Sequence, residues 1–368
     1  LIKLIKFMKI CIIGSGLTSL ILAKNLIKKN LYVDIIYENY QKEPTSARTI
    51  GITNQNFQFL ENLFPNLKSR SFSIKEIQIF NHNDLDSALL KFRSNKINQM
   101  YMFKYHDIYN YIVSEVKNLK KLKKIKKNLK ILDLNYLSNK YDLIIDTNLQ
   151  NKFSKKYFYK KIKKNYFSKA YVTILYHDKI DNSVARQIFT KTGPIAFLPI
   201  SNDSTSIVIS HKKSIGDLDK SYIEKLITKY NKFYNNLKFT NIQNFDLKFS
   251  LLKSYYTKNI LAFGDKLHQI HPLAGQGFNM NIRDIKYLSK EIDKKISLGL
   301  LIDNSILEEF ENRRKSNNTV FAGTIDFIYE FFQVESRAPK FLSKKLFNLL
   351  NNSKLLSRYG SIIADKGI

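Results

Sequence analysis

The opening of the chain restricts its fold more than any other feature. Lys9-Ile-Cys-Ile-Ile13 is a short apolar run that stops at a glycine, the pattern of a buried parallel strand. Gly14-Ser15-Gly16 follows, and then apolar residues at helical spacing from 17 to 30: Leu17, Leu20, Ile21, Ala23 and Ile27. Residues 33–37 read as a second strand that ends at Glu38. Strand, glycine turn, helix, strand and acid, in that order, spell a βαβ unit with a right-handed crossover. In such a unit Gly14 permits the tight turn and Gly16 lets the backbone approach a pyrophosphate. The helix beginning at Leu17 turns free N–H groups and the positive end of its dipole toward that pyrophosphate. Ser19 holds the third fingerprint position and is small enough for close helix–strand packing. Glu38 lies about 20 residues further on, where a carboxylate holds adenosine ribose hydroxyls and repels a 2′-phosphate. That favours FAD or NAD over NADP at this site. The competing reading is a tight strand–helix turn with a surface glutamate.

Thr53 is placed to cap a helix through Phe57, Leu60 and Phe64 that stops at Pro65. Residues 74–80 alternate like a strand, and 107–119 read as a helix. Residues 117–130 are dense in lysine, with Leu119, Leu122, Ile125 and Leu129 recurring beneath. They read as a solvated helix face or surface loop rather than a nucleic-acid contact. Segments 170–176, 187–190, 195–199 and 205–210 are β-rich and separated by turn residues, which predicts an antiparallel sheet distinct from the parallel one. A helix over 218–234, strands over 247–252 and 260–263, and a mainly helical stretch from Gly277 onward complete the pattern. The expected class is α/β.

The second strong constraint is Leu261-Ala-Phe-Gly264-Asp265-Lys-Leu-His268-Gln-Ile-His271-Pro272-Leu-Ala-Gly275-Gln276-Gly277-Phe278-Asn279-Met-Asn-Ile-Arg-Asp284. A strand ends in Gly-Asp, a proline loop follows, and Gly-Gln-Gly opens a helix. A carboxylate at a strand end can accept hydrogen bonds from a sugar alcohol. A glycine-rich helix start offers N–H donors to a negative ring edge. His268 and His271 are close in sequence, but no third ligand stands at a metal-site spacing, so no metal is expected.

This segment resembles the Gly-Asp motif of class A flavin-dependent aromatic monooxygenases, which share the para-hydroxybenzoate hydroxylase fold. Its form His-Pro-x-Ala-Gly-Gln-Gly-Phe-Asn-x-x-x-Arg-Asp is most similar to the ubiquinone-biosynthesis hydroxylases. Residues 46–52 around Arg48 resemble the segment whose arginine lies along the flavin. Residues 189–199 resemble the substrate-sheet strand passing the flavin ring, and Phe310–Arg314 the Tyr-x-x-x-Arg helix with Phe for Tyr. The resemblance implies a Rossmann-like FAD-binding domain (8–70, 98–165 and 255–300) interleaved with an antiparallel-sheet substrate domain (71–97 and 166–254). A helical C-terminal segment (301–368) follows.

It implies that Gly14, Gly16, Leu17 and Glu38 hold the ADP half of FAD, with Arg48 near flavin and pyrophosphate. Gly264 and Asp265 meet the ribityl chain, and Gly275, Gln276, Gly277, Phe278 and Asn279 the flavin edge. Pro272 lines the reaction chamber. It further implies NAD(P)H as electron donor, O2 as co-substrate, and a polyprenylated phenol as the molecule hydroxylated. The family's mid-chain Asp-Gly signature is absent from Tyr141-Asp142-Leu-Ile-Ile-Asp146-Thr147-Asn148-Leu149. That departure motivates a second reading, a non-catalytic flavin-binding or assembly component of a quinone-synthesis complex.

The remaining bulk properties narrow partners and location. Lys and Arg total 61 against 31 acids, a formal net charge of +30. Compositional drift is the favoured account of this charge over a partner of opposite sign, nucleic acid or an anionic membrane surface. No RNA or DNA motif accompanies the charge, so no nucleic-acid partner is expected. The lone Cys11 excludes an intrachain disulfide and suits a reducing cytoplasm. Leu1–Phe7 is too short and lysine-punctuated for a signal peptide, and Met8 reads as the start. Residues 340–358, basic with Phe341, Leu342, Leu346, Leu349 and Leu350, fit an amphipathic helix on a membrane or a helix packed on the domain. Cytoplasmic location, peripheral on the inner membrane, is the expectation, with other quinone-biosynthesis proteins as partners.

Overall fold

The computed structural model describes residues 8–39, 47–93, 97–212 and 217–335. Along the chain the strands are β1 (Lys9–Ile13), β2 (Tyr32–Tyr37), β3 (Thr49–Thr53), β4 (Phe72–Ile74), β5 (Glu76–Asn81), β6 (Leu90–Arg93), β7 (Met100–Lys104), β8 (Leu122–Lys126) and β9 (Leu143–Asp146). They continue as β10 (Lys161–Tyr176), β11 (Val184–Thr190), β12 (Gly193–Pro199), β13 (Ser204–Lys212), β14 (Lys238–Phe239), β15 (Gln243–Leu252), β16 (Tyr256–Thr257), β17 (Ile260–Ala262) and β18 (His268–Gln269). The α-helices are α1 (Leu17–Lys28), α2 (Asn54–Leu63), α3 (Tyr105–Lys117), α4 (Leu134–Lys140), α5 (Lys152–Lys156), α6 (Lys220–Tyr230), α7 (Gln276–Ser297) and α8 (Ser305–Glu335).

The runs at 10–13, 143–145 and 260–262 are wholly apolar, and 33–36 is so apart from Asp34, so they have almost no polar face to offer water. They form the interior of a sheet ordered β16-β17-β9-β1-β2-β8, parallel apart from the β16–β17 hairpin. Helices α1, α3 and α7 contribute to the core around it. The strands with period-two alternation build the second sheet, β18-β15-β10-β13-β12-β11-β5-β6, with β14 beside β10. Its two faces bury different sets. Ala170, Ile174 and Phe189 pack toward α8, while Tyr171, Leu175 and Ile188 pack toward α6. A small sheet, β3-β7-β4, joins the two. Strands β1, β9 and β17 all end on one side, at Gly14, Thr147 and Phe263, where an open α/β sheet offers a ligand crevice.

Three local expectations are corrected. The lysine-rich stretch is neither helix nor loop throughout, because residues 122–126 form the edge strand β8 beside β2. An edge strand covers one face only, and lysines keep its open side in water. The alternation at 74–80 is two strands, β4 and β5, in different sheets. Thr53 stands at the N-cap of α2 but makes no side-chain cap; its hydroxyl donates to Asn279 Oδ1 at 3.2 Å instead. Leu1–Phe7 and residues 340–358 lie outside the described residues.

Candidate cofactor and substrate cleft

A cleft of about 1300 Å³ runs from the glycine turn after β1, past the strand ends, to the face of the antiparallel sheet. At its first end Gly14 adopts φ +127° and donates its N–H to Ile36 O at 2.9 Å. A Cβ there would come within 2.2 Å of Thr147 Oγ1, so glycine is required by both conformation and contact. Gly16 is the N-cap of α1 and supplies no side-chain cap. The first turn of a helix has N–H groups with no intrahelical partner, and Gly16, Leu17, Thr18 and Ser19 line the cleft there. Ser19 Oγ meets Thr147 Oγ1 at 2.8 Å, so a hydroxyl pair secures the close approach of helix to strand. Glu38 follows β2 and is half-buried; its neighbour Asn39, rather than Glu38 itself, lines the cleft.

At the second end Gly264 takes φ +69° and packs on Thr18. Asp265 is exposed in the cleft, and Asn281 Nδ2 donates to its Oδ1 at 2.8 Å. Sequence reading missed Asn281, although it lies four residues past Gly277 and therefore on the same helix face. Gly275, at φ +64°, N-caps α7 and approaches the backbone of Gly51. Gly277 and Phe278 line the cleft in the first turn of α7. A Cβ on Gly277 would meet nothing within 4 Å, so the protein's own packing does not demand glycine there, and the space belongs to the cleft.

Two other motif residues turn inward. Asn279 is fully buried. Its Nδ2 donates to Gly51 O (2.9 Å) and Gly275 O (3.1 Å), and its Oδ1 accepts from Thr53 N (3.0 Å) and Asn56 Nδ2 (3.1 Å). Asn279 thereby bolts the start of α7 to β3 and α2. Gln276 is buried too, with Oε1 accepting from Arg283 Nη2 at 3.2 Å. Arg48 is exposed at the cleft, its guanidinium 4.1 Å above the Tyr105 ring.

Behind the loop, His268 Nε2 lies 2.8 Å from Asp284 Oδ2, and Arg314 Nε donates to Asp284 Oδ1 at 2.6 Å. Burial pushes the Asp284 carboxyl up, but Arg314 and His268 outweigh it and hold the group below its ordinary range. His271 points elsewhere, stacked on Tyr329 at 4.1 Å and edge-on to Tyr166 at 5.3 Å. Burial pushes its pKa down to about 3, so it is neutral. Among the described residues no group of three or more His, Cys, Asp or Glu is arranged to hold a metal. Beyond Pro272 the cleft reaches the second sheet, where Met102, Val172, Leu198, Val208, Leu247 and Ile270 give it a largely apolar wall and Gln243, Asn244, Asp246 and Lys248 of β15 add polar groups.

The comparisons agree with this geometry. Residues 174–359 match the family model "SE: Squalene epoxidase". The ubiquinone biosynthesis monooxygenase COQ6 of Dictyostelium discoideum is 28% identical over 203 residues, covering 45% of this chain and 41% of that protein. The Danio rerio COQ6 is 27% identical over 222 residues, covering 49% and 46%. The matched part thus spans less than half the length of these curated relatives. The fold is that of p-nitrophenol 4-monooxygenase PnpA from Pseudomonas putida, with TM-score 0.75 and 10% identity over 97% of this chain and 99% of that one. The probable FAD-dependent monooxygenase pqsL of Pseudomonas aeruginosa superposes with TM-score 0.70 at 13% identity, over 89% and 96%. With a cleft that joins two helix N-termini to a chamber on the second sheet, and with the family model matching residues 174–359, the chain belongs to the squalene epoxidase family.

Proposed function

We propose that this chain binds FAD along the cleft and hydroxylates the aromatic ring of a polyprenylated phenol in ubiquinone biosynthesis, with NAD(P)H as reductant and O2 as co-substrate. The observation that carries this reading is the continuity of the cleft, which passes from two helix starts and an exposed carboxylate straight into a largely apolar chamber. The donor set fits a dinucleotide. The α1 start suits a pyrophosphate, Asp265 a polyol chain, and the α7 start, open at Gly277, an electron-rich ring edge. FAD would supply the redox chemistry that accepts electrons from NAD(P)H and activates O2. The chain's own part is to bind and orient. Asn281 aims Asp265, Asn279 fixes the start of α7, and the chamber's largely apolar wall excludes water from the ring and suits a prenyl chain.

In this reading Leu17 serves the adenosine half, Arg48 the pyrophosphate side, Gly264 the ribityl chain and Pro272 the ring half, while Glu38 stands beside the cleft next to Asn39 and Gln276, whose side chain is buried, contributes through its backbone. The division into FAD-binding, substrate and C-terminal helical units belongs to the same proposal. So does peripheral attachment to the cytoplasmic face of the inner membrane, near other quinone-biosynthesis proteins. Among the described residues no helix is long and apolar enough to cross a membrane.

The decisive measurement is visible absorbance of the purified protein, followed anaerobically after NADH or NADPH is added with a short-tail phenol present. A yellow protein that bleaches, then forms hydroxylated product in air, is the expected result. A colourless protein that takes up no added FAD would sink the reading. The loop after β9, which carries Asn148-Leu149-Gln150 where the Asp-Gly signature is expected, favours one alternative, a non-catalytic flavin-binding or assembly component. A yellow protein that neither donor reduces is the outcome that reading requires.

A further inference from the structure

Two adjacent cleft loops share a buried ion pair that the chemistry above does not use. Asp146 ends β9, and Thr147, Asn148, Leu149 and Gln150 after it line the cleft. Lys266 ends the Gly264–Lys266 turn after β17, the strand paired in parallel with β9. Lys266 Nζ donates to Asp146 Oδ2, and both side chains are fully buried. The other carboxylate oxygen accepts from Asn151 Nδ2 at 2.7 Å and from Asn148 N at 3.1 Å, so the 147–151 loop is wrapped around Asp146.

A buried pair of this kind contributes little net stability, since an apolar pair of similar volume commonly serves as well. Its consequence is geometric. Lys266 and Asp265 are neighbours in one tight turn, with Lys266 buried and Asp265 exposed in the cleft. Anchoring the ammonium below therefore holds the carboxylate above. The same contact fixes the spacing of this turn from the 147–151 loop, which has no glycine to shape it.

Resting on the FAD reading, we propose that Asp146 and Lys266 are the positioning pair of the cofactor cleft. Their contact sets where Asp265 and the 147–150 loop meet the bound dinucleotide.

The test separates positioning from stability. Lys266→Met leaves the buried Asp146 carboxylate without its counter-charge and should lower both thermal stability and FAD affinity. Asp146→Leu combined with Lys266→Met restores an apolar contact and should recover most of the thermal midpoint. FAD dissociation constants from flavin fluorescence should nevertheless stay raised roughly tenfold or more, as expected for a ligand contact displaced by part of an ångström. A double variant that binds FAD like the parent would overturn the proposal, leaving the pair a structural role only. Should the double variant not fold, Asp146→Asn carries the same test, since it keeps the side chain's shape and an acceptor oxygen. A parent chain that binds no FAD would defeat the function reading itself. Amide exchange in the apoprotein then decides the pair, with Lys266→Met expected to speed exchange at residues 147–151. Unchanged exchange there would overturn the coupling.

Discussion

The two ends of the cleft solve the same problem by different means. Each places a helix start beside a strand end, with glycine at the turn. At the β1–α1 end the arrangement rests mainly on the close approach of Gly14 to Thr147, helped by one hydroxyl pair, Ser19 with Thr147, and by no buried charge among these residues. At the β17–α7 end it rests on buried polar groups. Asn279, Asn281, His268, Asp284 and Arg314 are joined by hydrogen bonds to strands and helices distant in sequence. A packed turn needs only a small residue in the right backbone conformation. A polar scaffold needs every partner, because an unpaired buried group costs its full desolvation.

The contrast can be broken at its strongest point by Arg314→Met. This leaves the Asp284 carboxylate buried without its guanidinium and should cost roughly 3–5 kcal/mol of stability. A loss under about 1 kcal/mol in denaturant titration would show that the polar end does not depend on the pair. Gly14→Ala comes next. The left-handed backbone and the overlap with Thr147 together should remove roughly 3 kcal/mol, read by thermal unfolding, and abolish FAD uptake.

A third effect is pH-dependent. His271 has an ordinary pKa of 6.5 and burial pushes it down to about 3. The unfolded chain takes up this proton first, so stability is lost as pH falls from about 6.5 toward 3, by roughly 1.4 kcal/mol per unit. His271→Phe keeps an aromatic ring against Tyr329 and should flatten that limb; an unaltered pH profile of the melting temperature would contradict a neutral buried imidazole. Gly277→Ala is the smallest perturbation and the sharpest comparison with Gly14→Ala. No protein atom lies within 4 Å of the new methyl, so stability should hold within about 1 kcal/mol while FAD binding weakens. Equal stability losses at the two glycines would erase the distinction between the ends.

Much of the cleft is legible in the residue order. Strand, glycine turn and helix at 9–30 form as their apolar spacing requires, and so do the Gly-Asp turn and the helix that opens at Gln276. The lysine-rich edge strand is hidden in the sequence because Leu119, Leu122, Ile125 and Leu129 mimic helical spacing, whereas only residues 122–126 lie in the strand. The role of Asn281 is equally hidden, because two asparagines stand in the first turns of α7 and only packing decides their directions. Asn279 turns inward to the scaffold and Asn281 reaches Asp265.

What the amino-acid order determined by itself is local: strand runs, the glycines at turns, and the helix starts beside them, each set by side-chain size and backbone conformation within a few residues. Which polar groups face the cleft and which are buried was decided only by the tertiary structure. Asp146 and Lys266 are 120 residues apart, and Asp284 and Arg314 are 30 apart. A buried charge is tolerable only where its partner arrives, and that arrival depends on strand order and helix packing rather than on any neighbouring residue.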